Sequence, residues 1–460
     1  MAEVDQSGIP EGSATRYPLS SRQRDPSGLA RAPKHVIPFA VRIKGELRLE
    51  SLEGALYDVV ERQESLRTRV EYSETDGNVG FQEVLPPLAV PLGVHDVTLA
   101  PGQSRDEFAI DLLVKLNEES MPFTVKPSLR ASLHRFDDHD AVLTLLTHHL
   151  FSDGWSTDIL RREIAACYRA RTTGIPHTLP TPVPYREFAA WEQEFLQGER
   201  AAAARRFWSD KLAGAEMFTM PADRPHGPDT LMPRSAIGNF SIDPGNFAKV
   251  SASAAQSRCS VWHVFLAAFM VLAEKVVGRP DITLFTSNSG RPTPDFYDTI
   301  GFFVNPVPLR LEFGECRSFR DLMLVARKAS SQARQYQLPF ATILDMTPAL
   351  MSGAADPRAL MPIFNYINSP VAHDTGFATS VEPVVTPEEL PTSFLRGGFV
   401  WTFLVVPSGE FRCSIEYEPD AVDASTIDRW GTDFIDLILA IADTPDQPWK
   451  KPGMEEAVSG

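Results

Sequence analysis

Hydrophobic residues in the first part of the chain follow two different repeats. The apolar segment Val36–Ile43 is typical of a β-strand. The residues after it recur at helical spacing, which places Leu52, Leu56, Val59 and Val60 on one face. The pattern therefore predicts a strand followed by an amphipathic helix.

A second passage from strand to helix lies further along the chain. The run Ala141–Thr147 is short and apolar, which suits a buried strand, and residues 148–155 are predicted to form a loop. A helix is predicted from Ser156, a plausible N-cap, with Asp158 near the positive end of the helix dipole. Its apolar side consists of Ile159, Leu160, Ile164 and Cys167.

A proline-rich segment divides the chain. Residues 171–184 contain four prolines and a glycine, and because proline blocks helices and removes a backbone donor, they are predicted to be a linker. We expect an N-terminal lobe over residues 16–178 and a C-terminal lobe over 179–460. Residues 1–15, which are small and polar, are expected to be a disordered tail.

The C-terminal part repeats the mixed pattern. Its most apolar run, Val261–Val277, is short for a membrane span and contains His263, Glu274 and Lys275, so a buried core helix is predicted. Gly278 is a typical residue at which such a helix ends. Strands are predicted at 281–286 and 411–417, and a final helix carries Ile427, Trp430, Phe434, Leu437 and Ile438 on one face.

Composition restricts the class of protein. Apolar residues make up 43% of the 460 residues and charged residues 23%, which is typical of a soluble globular protein. The net charge of −16 argues against nucleic-acid binding and against an anionic membrane surface, since both need clustered Lys and Arg. The four cysteines are far apart and form no CxxC pair, which argues against a zinc ribbon or a disulfide framework. With no secretory signal in the N-terminal residues, a cytoplasmic protein is expected.

The candidate chemistry lies in the segment HHLFSDGW at residues 148–155. His148 and His149 end the predicted buried strand, and Asp153 and Gly154 follow in a tight turn. A strand end holds an imidazole rigidly, and a neutral imidazole accepts a proton near pH 7. Gly154 permits a substrate to approach the backbone closely.

Other interpretations of this segment stay open on the residues alone. Adjacent histidines after an apolar strand also occur as hydrogen-bonded core residues. A His-x-x-x-Asp pair could ligate a metal, although no second ligand cluster stands out among the other histidines. Asp153 could cap a helix, and this structural role is favoured over proton transfer.

The segment HHLFSDG resembles the HHxxxDG signature of the condensation domains of nonribosomal peptide synthetases, which chloramphenicol acetyltransferase-like acyltransferases share in shorter form. Gln63 and Tyr336 stand where this family usually has histidine, and the first family element, Leu19–Arg24, is degraded. The resemblance extends from about residue 16 to 440. Its other matches, in the family's order, are Arg62–Thr68, Tyr185–Trp191, Gly290-Arg291 with Ile300–Asn305, Gln337–Phe340, Pro362–Asn365 and Tyr417–Asp420.

The resemblance implies an α+β (two-layer α/β) fold. Two lobes, each like a chloramphenicol acetyltransferase subunit, are expected to form a V-shaped pseudo-dimer around a tunnel. His149 is expected to face the tunnel, where it either takes the proton from the attacking atom or orients that atom. His148 is expected to support the loop, Asp153 to pair with Arg291 of the second lobe, and the Gly154 amide to lie near the oxyanion.

The resemblance also implies the reaction and the partner. The expected function is that of a free-standing condensation enzyme, with Trp155 and Asn305 in the substrate tunnel. It transfers an acyl group from the phosphopantetheine thioester of a peptidyl carrier protein to an amine or alcohol, on a small-molecule or carrier-bound acceptor, in natural-product (antibiotic) biosynthesis. No metal and no tightly bound cofactor are expected, and the protein is expected to be a monomer. Candidates for a basic patch that docks the carrier are Arg161, Arg162, Arg16, Arg22 and Arg24.

Three alternative functions follow from the same resemblance. They are an acyltransferase that uses acyl-coenzyme A, an epimerase-type relative and a non-catalytic recruitment domain. The intact HHLFSDG motif counts against recruitment, because such relatives usually lose part of it.

Overall fold

Strands and helices are interspersed along the chain, as the sequence predicts. The computed structural model describes residues 15–24, 29–45, 47–73, 79–226, 235–367, 381–383, 397–406 and 408–449. The strands are β1 (Arg16–Pro18), β2 (Val36–Lys44), β3 (Thr68–Tyr72), β4 (Gly80–Val84), β5 (Leu92–Asp96), β6 (Leu129–Asp137), β7 (Asp140–His148), β8 (Met220–Pro221), β9 (Ala236–Ile242), β10 (Asp281–Asn288), β11 (Asn305–Glu312), β12 (Ala359–Ile367), β13 (Val381–Pro383), β14 (Gly398–Val405) and β15 (Phe411–Tyr417). The helices are α1 (Leu49–Arg62), α2 (Arg105–Glu118), α3 (Gly154–Thr173), α4 (Tyr185–Gln197), α5 (Glu199–Lys211), α6 (Pro244–Gln256), α7 (Val261–Val277), α8 (Phe319–Gln335), α9 (Phe340–Met346) and α10 (Ala424–Asp443).

The described residues divide into two units, but not at the predicted boundary of 178/179. The first unit continues to Gln197 and also contains Ser289–Asn305 and β13, and the second contains the rest. The reason is that α4 packs on the N-terminal segment: the backbone N–H of Ser21 donates to the Glu192 carboxylate at 2.6 Å. The predicted tail lies outside the described residues apart from Thr15, and the V-shaped arrangement stays an expectation.

The first unit is built on a sheet with helices on both faces. Its strand order is β13-β2-β7-β6-β5, and β2 runs antiparallel to β7 with Val36 opposite His148. Along β7, Leu143 and Leu145 join the core formed with α1 and α3, while Val142 and Leu146 join the core formed with α2. Because both faces are covered, the strand is buried along its whole length, which confirms the predicted buried strand. A smaller sheet of order β1-β4-β3 completes the described strands of this unit.

The start of α3 differs from the prediction. Ser156 is not the N-cap: the helix begins at Gly154, and Asp153 is the N-cap, with its carboxylate accepting a hydrogen bond from the Ser156 N–H at 2.8 Å. A carboxylate at this position satisfies an N–H group that has no partner within the helix. The residues before it, His149–Phe151, form one 3₁₀ turn rather than an open loop. The tight turn therefore ties the helix start to the end of β7.

The second unit contains a larger mixed sheet. Its order is β11-β10-β12-β14-β15-β9, with β8 also paired to β12. Residues 264–270 of α7 are all buried, which confirms the predicted core helix, and Gly278 ends it in the left-handed conformation at φ 72°. Among the described helices, none alone is long and apolar enough to cross a membrane, although α6 and α7, bent by 96°, pass that test when joined. The predicted strands at 281–286 and 411–417 and the final helix are confirmed as β10, β15 and α10.

Candidate active site

His148 uses both ring nitrogens inside the protein. Its Nδ1 accepts a hydrogen bond from the Leu150 N–H at 3.1 Å, so the proton of the neutral ring is on Nε2, which donates to the Ala32 carbonyl at 3.1 Å. Burial lowers the pKa of His148 to about 4, so the ring is neutral at pH 7. His148 therefore holds the turn after β7 against the segment before β2.

Two other rings contact His149. It stacks on His35 with 4.4 Å between ring centroids and 24° between planes, and Phe302 lies beside it at 4.6 Å and 55°. Its backbone N–H donates to the His35 carbonyl at 2.8 Å. The side chain is partly exposed, and its buried Nδ1 has no hydrogen-bond partner among the described residues. The two ring contacts therefore restrict the orientation of the imidazole.

The surroundings of His149 favour its neutral form. Burial, the largest effect, lowers the pKa, and the charge of Arg22 lowers it further. The carboxylate of Asp153 raises the pKa, but burial outweighs it, and the net result lies below the ordinary value. At neutral pH the ring therefore has an unprotonated nitrogen and can accept a proton.

Asp153 is saturated with hydrogen bonds. Its Oδ2 accepts from Arg291 Nη1 at 3.0 Å and from the backbone N–H groups of Phe303 and Val304 at 3.1 and 3.2 Å. Its Oδ1 accepts from Arg291 Nη2 at 3.2 Å and from the N–H and hydroxyl of Ser156 at 2.8 and 2.7 Å. Burial alone would raise the pKa of Asp153, but the Arg291 charge and these bonds bring it below the usual range. Asp153 is an ionised anchor, and the capping interpretation is confirmed.

The predicted pair between Asp153 and Arg291 is confirmed, but its location is corrected. Arg291 was expected in the second lobe, whereas segment 289–305 belongs to the first unit. Arg291 Nη2 also donates to the Thr299 carbonyl at 3.1 Å, which folds the segment back on itself. Gly290 makes this path possible: its φ is +65°, and a Cβ there would lie 1.7 Å from the Phe303 carbonyl oxygen.

Open space lies beside the first residue of α3. A Cβ on Gly154 would meet no atom within 4 Å, so neighbouring atoms do not require glycine, and a reactant has room to approach. Trp155 is 37% exposed, and its Nε1 donates to the Tyr297 carbonyl at 3.1 Å. Asn305 is buried at the start of β11. An oxyanion near the Gly154 amide and a tunnel role for Trp155 and Asn305 stay predictions.

Neither ring neighbour of His149 was predicted from the sequence, and no role was predicted for Gln63. Gln63 is buried; its Nε2 donates to the Glu163 carboxylate and to the Asp298 carbonyl, both at 2.9 Å, and its Oε1 accepts from the Ile300 N–H at 3.0 Å. It thereby anchors the segment that carries Phe302. The sequence did mark Gln63 in one way: it stands at a position of a family element where histidine is usual.

The metal interpretation of His149 and Asp153 finds no support in the geometry. Every hydrogen bond to the Asp153 oxygens described above comes from an N–H or O–H donor, which leaves the carboxylate committed to Arg291, Ser156 and the backbone. Within the part of the chain that the structure describes, no group of three or more His, Cys, Asp or Glu side chains is placed to hold a metal ion.

A neutral imidazole on a rigid strand end, beside the accessible N-terminus of a helix, is a site suited to acyl transfer with proton acceptance. The condensation-domain family model matches residues 14–457, so the chain belongs to the condensation-domain family, whose members form amide bonds by acyl transfer. A linear gramicidin synthase polypeptide from Brevibacillus parabrevis is 30% identical over 89% of this chain. The nonribosomal peptide synthetase kk1B from Curvularia clavata is 32% identical over 69% of it. The chain spans 5% and 2% of the length of these relatives.

Solved structures share the same mixed fold. SgcC5 from Streptomyces globisporus superposes with a TM-score of 0.84 and 28% identity, covering 94% of this chain and 100% of that one. The first condensation domain of the calcium-dependent antibiotic synthetase gives 0.76 at 17% identity, covering 95% of this chain and 99% of that one. The X-domain from teicoplanin biosynthesis gives 0.77 at 22% identity, covering 95% and 97%. These similarities confirm the predicted fold class.

Proposed function

We propose that this protein transfers an acyl group from the phosphopantetheine thioester of a carrier protein to an amine or alcohol. The observation that carries the proposal is His149: a neutral, partly exposed imidazole held at the end of β7 by neighbouring rings. Membership in the condensation-domain family supports a carrier-bound donor, because these domains act on carrier-bound substrates in nonribosomal peptide synthesis.

In the proposed reaction His149 acts on the attacking atom. As the acceptor nitrogen or oxygen bonds to the thioester carbonyl carbon, its proton passes to the imidazole. The tetrahedral oxyanion forms toward the N-terminal end of α3, where the Gly154 amide and the helix dipole favour negative charge. The C–S bond then breaks, and the leaving thiolate takes the proton from His149 to give the free thiol and the amide or ester.

Two effects would accelerate the proposed reaction, and their contributions to the rate differ. Proton acceptance by a positioned base contributes about 10²–10⁴-fold. The rest comes from holding donor and acceptor in reactive geometry, which converts a bimolecular step into an effectively unimolecular one. In this proposal the ion pair of Asp153 and Arg291 contributes to the positioning of the reactants, because it fixes the start of α3 relative to segment 289–305.

An alcohol acceptor is kept beside an amine for a specific reason. The SgcC5 crystal structure contains (R)-(-)-1-(2-naphthyl)-1,2-ethanediol, an aromatic diol, and that protein is 28% identical to this chain. A hydroxyl group loses a proton on acylation just as an amine does, so the same imidazole serves ester and amide formation. We therefore propose that the acceptor panel include aromatic diols.

The test uses the purified chain, a carrier protein loaded with an acyl thioester, and a panel of amines and diols. Mass spectrometry follows loss of the acyl group and formation of the product. We expect acceptor-dependent product that disappears in His149→Ala. His139→Ala is the matched control, because His139 is an exposed histidine just before β7, at the end opposite His149.

Other outcomes favour other functions. If product forms equally well from acyl-coenzyme A, the acyl donor is acyl-coenzyme A and not a carrier protein. Solvent deuterium incorporated into the acyl group without an acceptor would indicate an epimerase-type activity. Carrier binding without turnover across a broad panel would indicate recruitment and contradict the proposed transfer.

A further inference from the structure

His35 is bound to His149 twice. It is buried, directly precedes β2, and its carbonyl accepts the hydrogen bond from the His149 N–H at 2.8 Å. Its ring stacks on the His149 ring at 4.4 Å, with only 24° between the planes. The antiparallel pairing of β2 with β7 produces this arrangement, because Val36 lies opposite His148 and the preceding residue then lies beside His149.

Phe302 contacts both rings of this stack. Phe302 lies on His149 at 4.6 Å and meets His35 edge-on at 5.9 Å. The His35 N–H donates to the Ala32 carbonyl at 2.8 Å, the same oxygen that accepts the His148 Nε2–H. His35 and Phe302 therefore restrict the orientations that are open to the His149 ring.

We propose that His35 is a positioning residue for the transfer reaction, whose flat ring fixes the plane of His149 and keeps water from one of its faces. This inference rests on the proposed role of His149 as proton acceptor. The role belongs to the flat face of His35 and not to a proton that His35 itself exchanges.

The charged and titratable groups around the pair fit this role. His148 from β7, Arg22 from the turn after β1 and Asp153 at the start of α3 act on one or both rings. Burial first, and then His149, hold the pKa of His35 well below its ordinary value, so the covering ring is neutral. Burial also lowers the pKa of His149. If the covering ring is removed, water reaches His149, and its pKa rises toward about 6.5.

The first test needs no turnover. The His149 imidazole is titrated by NMR in the full chain with labelled histidine, and loss of its signal in His149→Gln makes the assignment. In His35→Ala we expect titration at higher pH than in the wild type, and in His35→Phe, which keeps a flat ring, titration near the wild-type pH. The control is His95→Ala, since His95 and His134 form another stacked pair in the first unit, at 5.0 Å and 23°.

The second test measures acyl transfer. In His35→Ala we expect kcat to fall roughly 10- to 100-fold with KM little changed, because a small misplacement of a base has an effect of this size. The acid limb of the pH–rate profile moves upward with the NMR titration. His35→Phe retains most of the wild-type kcat, and circular dichroism reports whether each variant is folded.

Two results would overturn the inference. One is an unchanged His149 titration in a folded His35→Ala variant. The other is a His35→Phe variant that behaves like His35→Ala, since the imidazole itself would then be needed. A wild-type protein without turnover contradicts the proposed function instead, and the NMR titration still decides whether His35 controls the environment of His149.

Discussion

Asp153 and Arg291 form a bidentate ion pair in which the side chains are 1% and 0% exposed. The pair joins three elements of one unit: the turn after β7, the start of α3 and segment 289–305. The same carboxylate oxygen that accepts from Arg291 accepts from the backbone beside Phe302, the ring that lies on His149. The pair therefore connects the stability of the first unit to the geometry around His149, the proposed proton acceptor.

Replacing Arg291 with Met should strongly destabilise the first unit. The change leaves the Asp153 carboxylate buried without its cation, which typically costs about 3–5 kcal/mol of the free energy of unfolding. Urea unfolding measures the loss. The control is Arg162→Ala, which breaks a more exposed pair with Asp298 and should cost about 1 kcal/mol or less. Equal costs for the two variants would show that burial of the first pair does not matter.

The lowered pKa of Asp153 predicts how the free energy of unfolding changes at acid pH. Its folded-state pKa lies below the unfolded value of about 3.9, so its contribution to stability is present above that pH and disappears as the pH falls through the folded pKa. Asp153→Asn should therefore be less stable than the wild type at pH 6, and the gap should narrow as the pH falls below about 4. Urea unfolding between pH 6 and 2.5 measures it, and a constant gap contradicts the prediction.

Much of the local structure around this site is predictable from short-range patterns. The apolar run before His148 fills both faces of a covered sheet, and burial of that kind leaves a clear mark in the sequence. The side chain of Asp153 is typical of a helix cap, so its capping role could be predicted. The first residue of α3 was not predicted, because serine is as good a capping residue as aspartate and Ser156 lies close by. The pairing of Asp153 with Arg291 came from the family resemblance.

Other long-range relationships were not predicted from the sequence. The proline-rich segment looks like a boundary, yet α4 after it packs on the N-terminal segment through Glu192 and Ser21. Residue 291 follows the boundary in sequence but returns to the first unit. His35 meets His149 only through the register of β2 on β7, which a single sequence does not specify. These relationships depend on which elements pair with each other. The periodicity of hydrophobic residues indicates only whether a segment is a helix or a strand.

The pH dependence of catalysis should follow His149. Because burial keeps the pKa of His149 below the ordinary value of about 6.5, its unprotonated form predominates down to pH 6.5, and kcat/KM should fall by less than about half between pH 8 and 6.5. Activity should be lost at lower pH, where the ring gains a proton. A pH–rate profile with an alcohol acceptor, which does not itself protonate in this range, makes the measurement. An acid limb centred at or above pH 6.5 contradicts this prediction.

Two glycines should respond to alanine in opposite ways. In Gly154→Ala the new methyl enters open space at a helix start, so the free energy of unfolding should be unchanged or slightly raised while kcat falls, if a reactant occupies that space. In Gly290→Ala the methyl meets the Phe303 carbonyl oxygen in a left-handed conformation, so stability should fall by more than about 1 kcal/mol. Thermal unfolding and single-turnover rates separate the two effects. Full activity in Gly154→Ala would place the reactants elsewhere.

A substitution at Gln63 tests whether a residue that does not touch His149 can affect its position within the first unit. Gln63→Ala removes the partner of the Ile300 N–H and one partner of the buried Glu163 carboxylate, which should cost about 1–3 kcal/mol in unfolding free energy. Because segment 298–304 carries both Phe302 and the backbone donors to Asp153, loosening it should also lower kcat without contact between Gln63 and the reactants. The matched control is Gln103→Ala, which removes an exposed hydrogen bond to Asp111 and should be nearly neutral. A destabilised but fully active Gln63→Ala would show that the contacts of Gln63 with this segment do not affect the position of His149.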